Sequence, residues 1–174
     1  FGATAVTASA QYFGRNKVQY EKFDYQVLTT DHFQIYYYPE EEAAVRTAAR
    51  MAERWYNRLA RIFNHDLKGK QALIMYASHP QFEQTTVLSE LISEGTGGVT
   101  ESFKRRIILP FGASLDDTDH VIGHELVHAF QYDMALGGEG RANPQGGEGL
   151  ARTPLFLIEG AAEYFSIGPE DPNT

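Results

Sequence analysis

The chain has 174 residues, 43% of them hydrophobic and 22% charged, which is ordinary globular usage and enough for one domain with a real core. Its formal net charge of −8 argues against nucleic acid as a partner, and the absence of cysteine excludes disulfides and thiolate-held metals. No apolar run approaches the length of a transmembrane helix.

Phe1 is not an initiator Met, so a fragment of a longer chain is expected. Residues 3–10 are small and mildly apolar, and Ala8-Ser9-Ala10 has the form that precedes signal-peptidase cleavage, so 1–10 read as the tail of such a signal. They are expected to be the remnant of a secretory signal, with the domain covering 11–174; a flexible small-residue terminus is the plainer alternative. Residues 11–22 are polar and Tyr-rich without a clear period.

From Val27 to Tyr38 the pattern is that of a strand, with Phe33, Ile35 and Tyr37 alternating against Gln34, Tyr36 and Tyr38 until Pro39 stops it. Glu40-Glu41-Glu42 then open a helix, with acids where the helix dipole favours them. Val45, Ala48, Ala49, Ala52, Trp55, Tyr56, Leu59, Ile62 and Phe63 give that helix an apolar stripe over 40–63. Arg46, Arg50, Arg54, Arg58 and Arg61 fall largely off the stripe. They fit a solvated face, with Glu42 and Glu53 as partners, better than an anion patch. A turn at 67–70 precedes a short apolar strand over 71–77, and Pro80 can begin a short helix to about Val87. A glycine-rich loop over 94–98 leads to two strands or a hairpin at 99–103 and 106–109.

Asp116-Asp117-Thr118-Asp119 supply N-cap candidates and acids for a helix running to about Leu136. The glycine-rich stretch 137–154 is a long irregular segment, which is usually functional or disordered. Thr153 as N-cap and Pro154 at the first helical position start a last helix to about Ile167, and Pro169 and Pro172 close the chain. The order of elements implies an α+β domain, a mixed sheet packed against helices.

The helix over 116–136 carries His124-Glu125-Leu126-Val127-His128. Residues i and i+4 share a helix face, so His124 and His128 can aim imidazole nitrogens at one point, as a tetrahedral Zn²⁺ site requires. Glu125 falls beside that point, where a carboxylate can take a proton from an activated water. A catalytic zinc keeps three protein ligands. His120 would crowd the cation from one side and fits better as a surface residue or a partner of a ligand. Glu159 and Glu163 lie one turn apart in the otherwise apolar Leu157–Tyr164 segment, and a carboxylate there is costly unless paired or metal-bound. One of the two can ligate while the other orients a histidine ring. Gly160 is expected where another backbone packs close. Phe130, Tyr132 and Asp133 fit the core or the support of the ligands.

His124–His128 followed by Glu159-Gly160-Ala161-Ala162-Glu163-Tyr164 resembles the gluzincin zinc metallopeptidases, the peptidase MA-like group. Segments 33–39, 97–100 and 120–132 resemble most closely the N-terminal domain of large secreted bacterial proteins that continue into a TolB-type β-propeller. The resemblance implies a zincin-like fold, peptide-bond hydrolysis, Zn²⁺ held by His124, His128 and Glu159, Glu125 as general base, Glu163 behind the ligands, and a secreted or envelope location with a peptide or protein as substrate. The chain departs from that pattern in two ways: thirty residues separate His128 from Glu159, and it ends soon after Glu159, where the group that stabilises the oxyanion is often found. Gly98, Val99 and Thr100 are the expected substrate edge, with a plain structural strand as the alternative. A non-catalytic zinc-binding or peptide-binding module of a larger envelope protein is the competing function. An H-E-x-x-H without metal would require Glu159 to point away from both histidines.

Overall fold

Strand and helix boundaries follow the sequence pattern closely enough to place every element near its expected position. The computed structural model describes residues 22, 24–85, 96–101, 104–136, 150 and 152–167. The expected leader 1–10, the glycine-rich stretch 137–149 and the prolines at 169 and 172 lie outside them. The elements are β1 (Gln26–Thr29), β2 (Phe33–Tyr37), a 3₁₀ turn at Pro39–Glu41, α1 (Glu42–Phe63), β3 (Gln71–Tyr76), α2 (His79–Glu83), β4 (Val99–Glu101), β5 (Arg106–Pro110), α3 (Leu115–Leu136) and α4 (Leu155–Ser166).

One mixed sheet of five strands runs β1-β2-β3-β5-β4. The inner pairs β2/β3 and β3/β5 are parallel, and the outer pairs β1/β2 and β4/β5 are antiparallel. The parallel crossovers use α1 between β2 and β3, and the stretch holding α2 and β4 between β3 and β5. The alternation in β2 has the expected effect: Phe33, Ile35 and Tyr37 are buried. With Leu73, Ile107 and Leu109 they meet Val45, Ala48, Ala52, Trp55 and Leu59 of α1 and Ile122, Leu126 and Phe130 of α3. A smaller cluster, Tyr38, Tyr76, Phe82 and Ile108, seats α2.

Five expectations need correction. The strand over 27–38 is two strands, because Thr30-Asp31-His32 makes a turn in which the Thr30 N–H donates to the Phe33 carbonyl (3.0 Å). That turn is fastened to α1 by Glu53, which accepts from Thr30 Oγ1 (2.6 Å) and the His32 N–H (2.9 Å) and pairs with His32 Nδ1 (2.6 Å). Glu53 is therefore no partner for the arginines. Among those, Arg46 pairs with Glu42, whereas Arg54 reaches Asp119 on α3 and Arg58 donates to the Ile167 carbonyl beyond α4. The cap of α3 is Ser114, one turn before the aspartates: Ser114 Oγ accepts from the Asp117 N–H, and Asp117 Oδ2 accepts from the Ser114 N–H, each at 3.0 Å. At α4, Pro154 itself is the N-cap residue with ψ 136°, so Thr153 does not cap. The short helix at Pro80 begins at His79 and ends at Glu83, before 86–87, which lie outside the described residues.

Candidate metal centre

The face of α3 that looks away from α1 lines a cleft of about 470 Å³ together with residues 96–100 and Glu159 and Glu163 of α4. α3 is fixed on its inner side by the core, which leaves its histidine face little freedom. Gly123 lets α1 approach: a Cβ there would stand 2.7–2.9 Å from three ring atoms of Trp55. The Trp55 indole N–H in turn donates to Asp119 Oδ1 (3.1 Å), and Arg58 lies over the ring at 5.4 Å.

Three atoms converge on the cleft. His124 Nε2 and His128 Nε2 are 3.2 Å apart, and Glu159 Oε2 is 3.3 Å from each. Glu159 thus points toward both histidines, as the two-helix arrangement requires, and these three residues could hold a metal ion. His128 is held by Gln131. The Gln131 amide N–H donates to the Ile158 carbonyl (3.2 Å), so its Oε1 is the acceptor for His128 Nδ1–H (2.9 Å). This fixes the tautomer, leaving the Nε2 lone pair free to bind. Gln131 stands three residues after His128, on the same helix face, and that spacing is its signal in the sequence. His124 Nδ1 is 3.4 Å from Glu163 Oε2, and the same oxygen is 3.3 Å from His120 Nε2. Glu163 therefore backs His124, and His120 joins it.

The two glutamates are not carboxylates buried in an apolar helix. Leu155, Phe156, Leu157 and Tyr164 of α4 are themselves 52–72% exposed, and the Glu159 and Glu163 side chains are 50% and 58% exposed. They incur little desolvation penalty, and their pairing with histidines is what marks them. Gly160 also departs from expectation: a Cβ there meets nothing within 4 Å.

Glu125 is buried beside the triad. Burial pushes its carboxyl up, against the Thr100 hydroxyl and the two histidines, which favour the ionised form. The Thr100 hydroxyl stands 2.6 Å from Glu125 Oε2 and 2.8 Å from the Glu125 carbonyl; its single proton goes to the nearer carboxylate. Gly98 makes room for this arrangement, since a Cβ would come within 2.9 Å of Glu125 Cγ and 3.1 Å of Oε1. Thus Gly98 and Thr100, expected as substrate contacts, also seat Glu125, a role that no spacing rule identifies. Val99 and Thr100 lie on β4, which is an edge strand. Tyr132 lines the same cleft. Its phenol is pushed up by burial and by the charges of Glu125 and Glu159, so it stays a hydrogen-bond donor. Asp133 is buried under the end of α3, bonded to His65 Nε2 (2.7 Å) and at ion-pair distance from Arg105 (2.8 Å).

A scan against models of protein families found no match, and searches of curated proteins and of solved structures found none. Among the described residues no helix is long and apolar enough to cross a membrane.

Proposed function

We propose that the chain is a zincin-like, gluzincin-type metallopeptidase domain in which His124, His128 and Glu159 hold Zn²⁺ and Glu125 is the general base. The observation that carries this is the triangle of His124 Nε2, His128 Nε2 and Glu159 Oε2, with edges of 3.2–3.3 Å. Ligand atoms about 2.0–2.1 Å from a tetrahedral Zn²⁺ stand about 3.3–3.4 Å apart, so the three residues fit that ion without rearrangement. Bound there, Zn²⁺ would acidify a water and polarise a substrate carbonyl.

The remaining chemistry belongs to side chains of this chain. Glu125, with Oε2 engaged by Thr100, keeps Oε1 to take the proton of the attacking water and return it to the leaving amine. Gln131 and Glu163 hold the histidine rings in the orientation that presents Nε2. Among the described residues β4 is an edge of the sheet, and its outer side, with Gly98 just before it, is where an extended peptide would pair, through Gly98, Val99 and Thr100. The intact, buried and seated Glu125 favours an enzyme over a purely metal-binding module, because metal binding alone has no use for a held carboxylate beside the ligands.

The test is digestion of a peptide library by the zinc-loaded protein and by Glu125→Gln, with metal content measured on both. Loss of cleavage by a factor of about 10²–10⁴ with metal retained is expected of a general base. Equal cleavage by the two proteins sinks the assignment.

A further inference from the structure

α3 and α4 lie against each other with a register that repeats. The triad His124, His128, Glu159 has a copy displaced by one helical turn: four residues back along α3 and four forward along α4 give His120, His124 and Glu163. The ligand-type atoms of this second group also lie within 4.8 Å of one another. Its two edges to the carboxylate, His120 Nε2 to Glu163 Oε2 at 3.3 Å and His124 Nδ1 to Glu163 Oε2 at 3.4 Å, are close to the corresponding edges of the first. His124 belongs to both groups, through Nε2 in one and Nδ1 in the other.

We propose that His120, Glu163 and His124 Nδ1 form a second divalent-cation position beside the first, weaker than it and sharing the His124 ring. Two features make it weaker. The His120 and Glu163 side chains are 41% and 58% exposed, so water competes for both. In addition, ligation through Nδ1 while Nε2 is engaged releases the ring's remaining N–H proton to solvent, a cost the first position does not bear. A cation here also takes Glu163 away from its role behind His124, so the second equivalent acts directly on a ligand of the first.

The experiment is calorimetric titration of the metal-free protein with zinc. Wild type is expected to take two equivalents, the second at least tenfold weaker. His120→Asn and Glu163→Gln should each take one, while Glu159→Gln should lose the tight event. Circular dichroism shows whether each variant is folded, and the two exposed positions give independent variants. Saturation of wild type at one equivalent overturns the proposal, as does a second equivalent surviving in both His120→Asn and Glu163→Gln. The outcome separates from the peptidase reading: two equivalents without peptide cleavage support the second position and sink the enzyme, whereas one equivalent with cleavage does the reverse.

Discussion

Gly123 and Gly160 sit in the two helices that carry the triad, and alanine at each should have opposite effects on stability. In both helices, replacing Gly by Ala removes backbone entropy from the unfolded chain, a gain of about 1 kcal/mol. At Gly160 nothing lies within 4 Å of the new Cβ, so the gain stands alone. At Gly123 the Cβ arrives 2.7 Å from Trp55 Cε2 and 2.9 Å from Cδ2 and Cζ2. The ring cannot swing aside cheaply, because its N–H is bonded to Asp119 and Arg58 lies over it. Overpacking of this kind costs about 1–3 kcal/mol, and a pinned aromatic ring belongs near the top of that range. The net loss is then about 2 kcal/mol, which for a domain of this size lowers Tm by about 4–8 °C. Gly160→Ala should raise it by about 2–4 °C. Trp55 is the one tryptophan, so urea unfolding followed by its fluorescence reads the α1/α3 contact directly. Gly123→Ala proving as stable as wild type, or Gly160→Ala less stable, would refute the reasoning.

Thr100→Val removes the donor to Glu125 without changing side-chain shape much. It should lower kcat by tenfold or more with KM and metal content unchanged, and Thr100→Ser should restore it; a change confined to KM would instead mark Thr100 as a substrate contact only. Glu53 gives a pH-dependent prediction. Burial raises its carboxyl, but His32, Thr30 and the His32 N–H outweigh that and leave it below its ordinary value of 4.5. A depressed carboxylate stabilises the fold above the unfolded-state value and loses that contribution as pH falls through the folded-state value. The stability gap between wild type and Glu53→Gln should therefore be full at pH 7 and shrink below pH 4.5. A gap that widened on acidification would contradict it.

The sequence carried the candidate ligands and the elements for one physical reason, which is that both are set by spacing along a single element. His124 and His128 share a face because helices turn once in about 3.6 residues, and β2 alternates because strands do. What the sequence withheld depends on contacts between elements. Thr100 and Gly98 look like any strand residues until β4 is laid along α3. Gly123 and Gly160 are indistinguishable by local pattern, and only the position of Trp55 separates them. Ser114 was overshadowed by four better-looking cap residues, although S-x-x-D at 114–117 is itself a capping signature. Glu159 and Glu163 stand in an apolar stretch of sequence, yet the exposed helix places no burial penalty on them, and only their approach to the histidines of α3 marks them.

That exposure has a consequence for how the site assembles. α3 is clamped between the sheet and α1, with Ile122, Leu126, Val127 and Phe130 all fully or nearly fully buried. α4 buries only Ala162 and Ser166 and shows Leu155, Phe156 and Leu157 to solvent. The histidines thus come from a helix buried along its length and the carboxylate from one with fewer buried residues. Helices with few buried contacts open at less free energy than the global unfolding. A cation binding all three residues favours the state in which α4 is docked, by about 2.7 kcal/mol at a hundredfold excess over Kd. Amide hydrogen exchange along α4 should accordingly slow by up to about 100-fold when zinc is added, and amides of α1 that exchange only through global unfolding should slow by a similar factor. In Glu159→Gln the slowing should vanish. If zinc slowed exchange in α1 but left α4 untouched, the carboxylate would not be a ligand and α4 would be docked by packing alone.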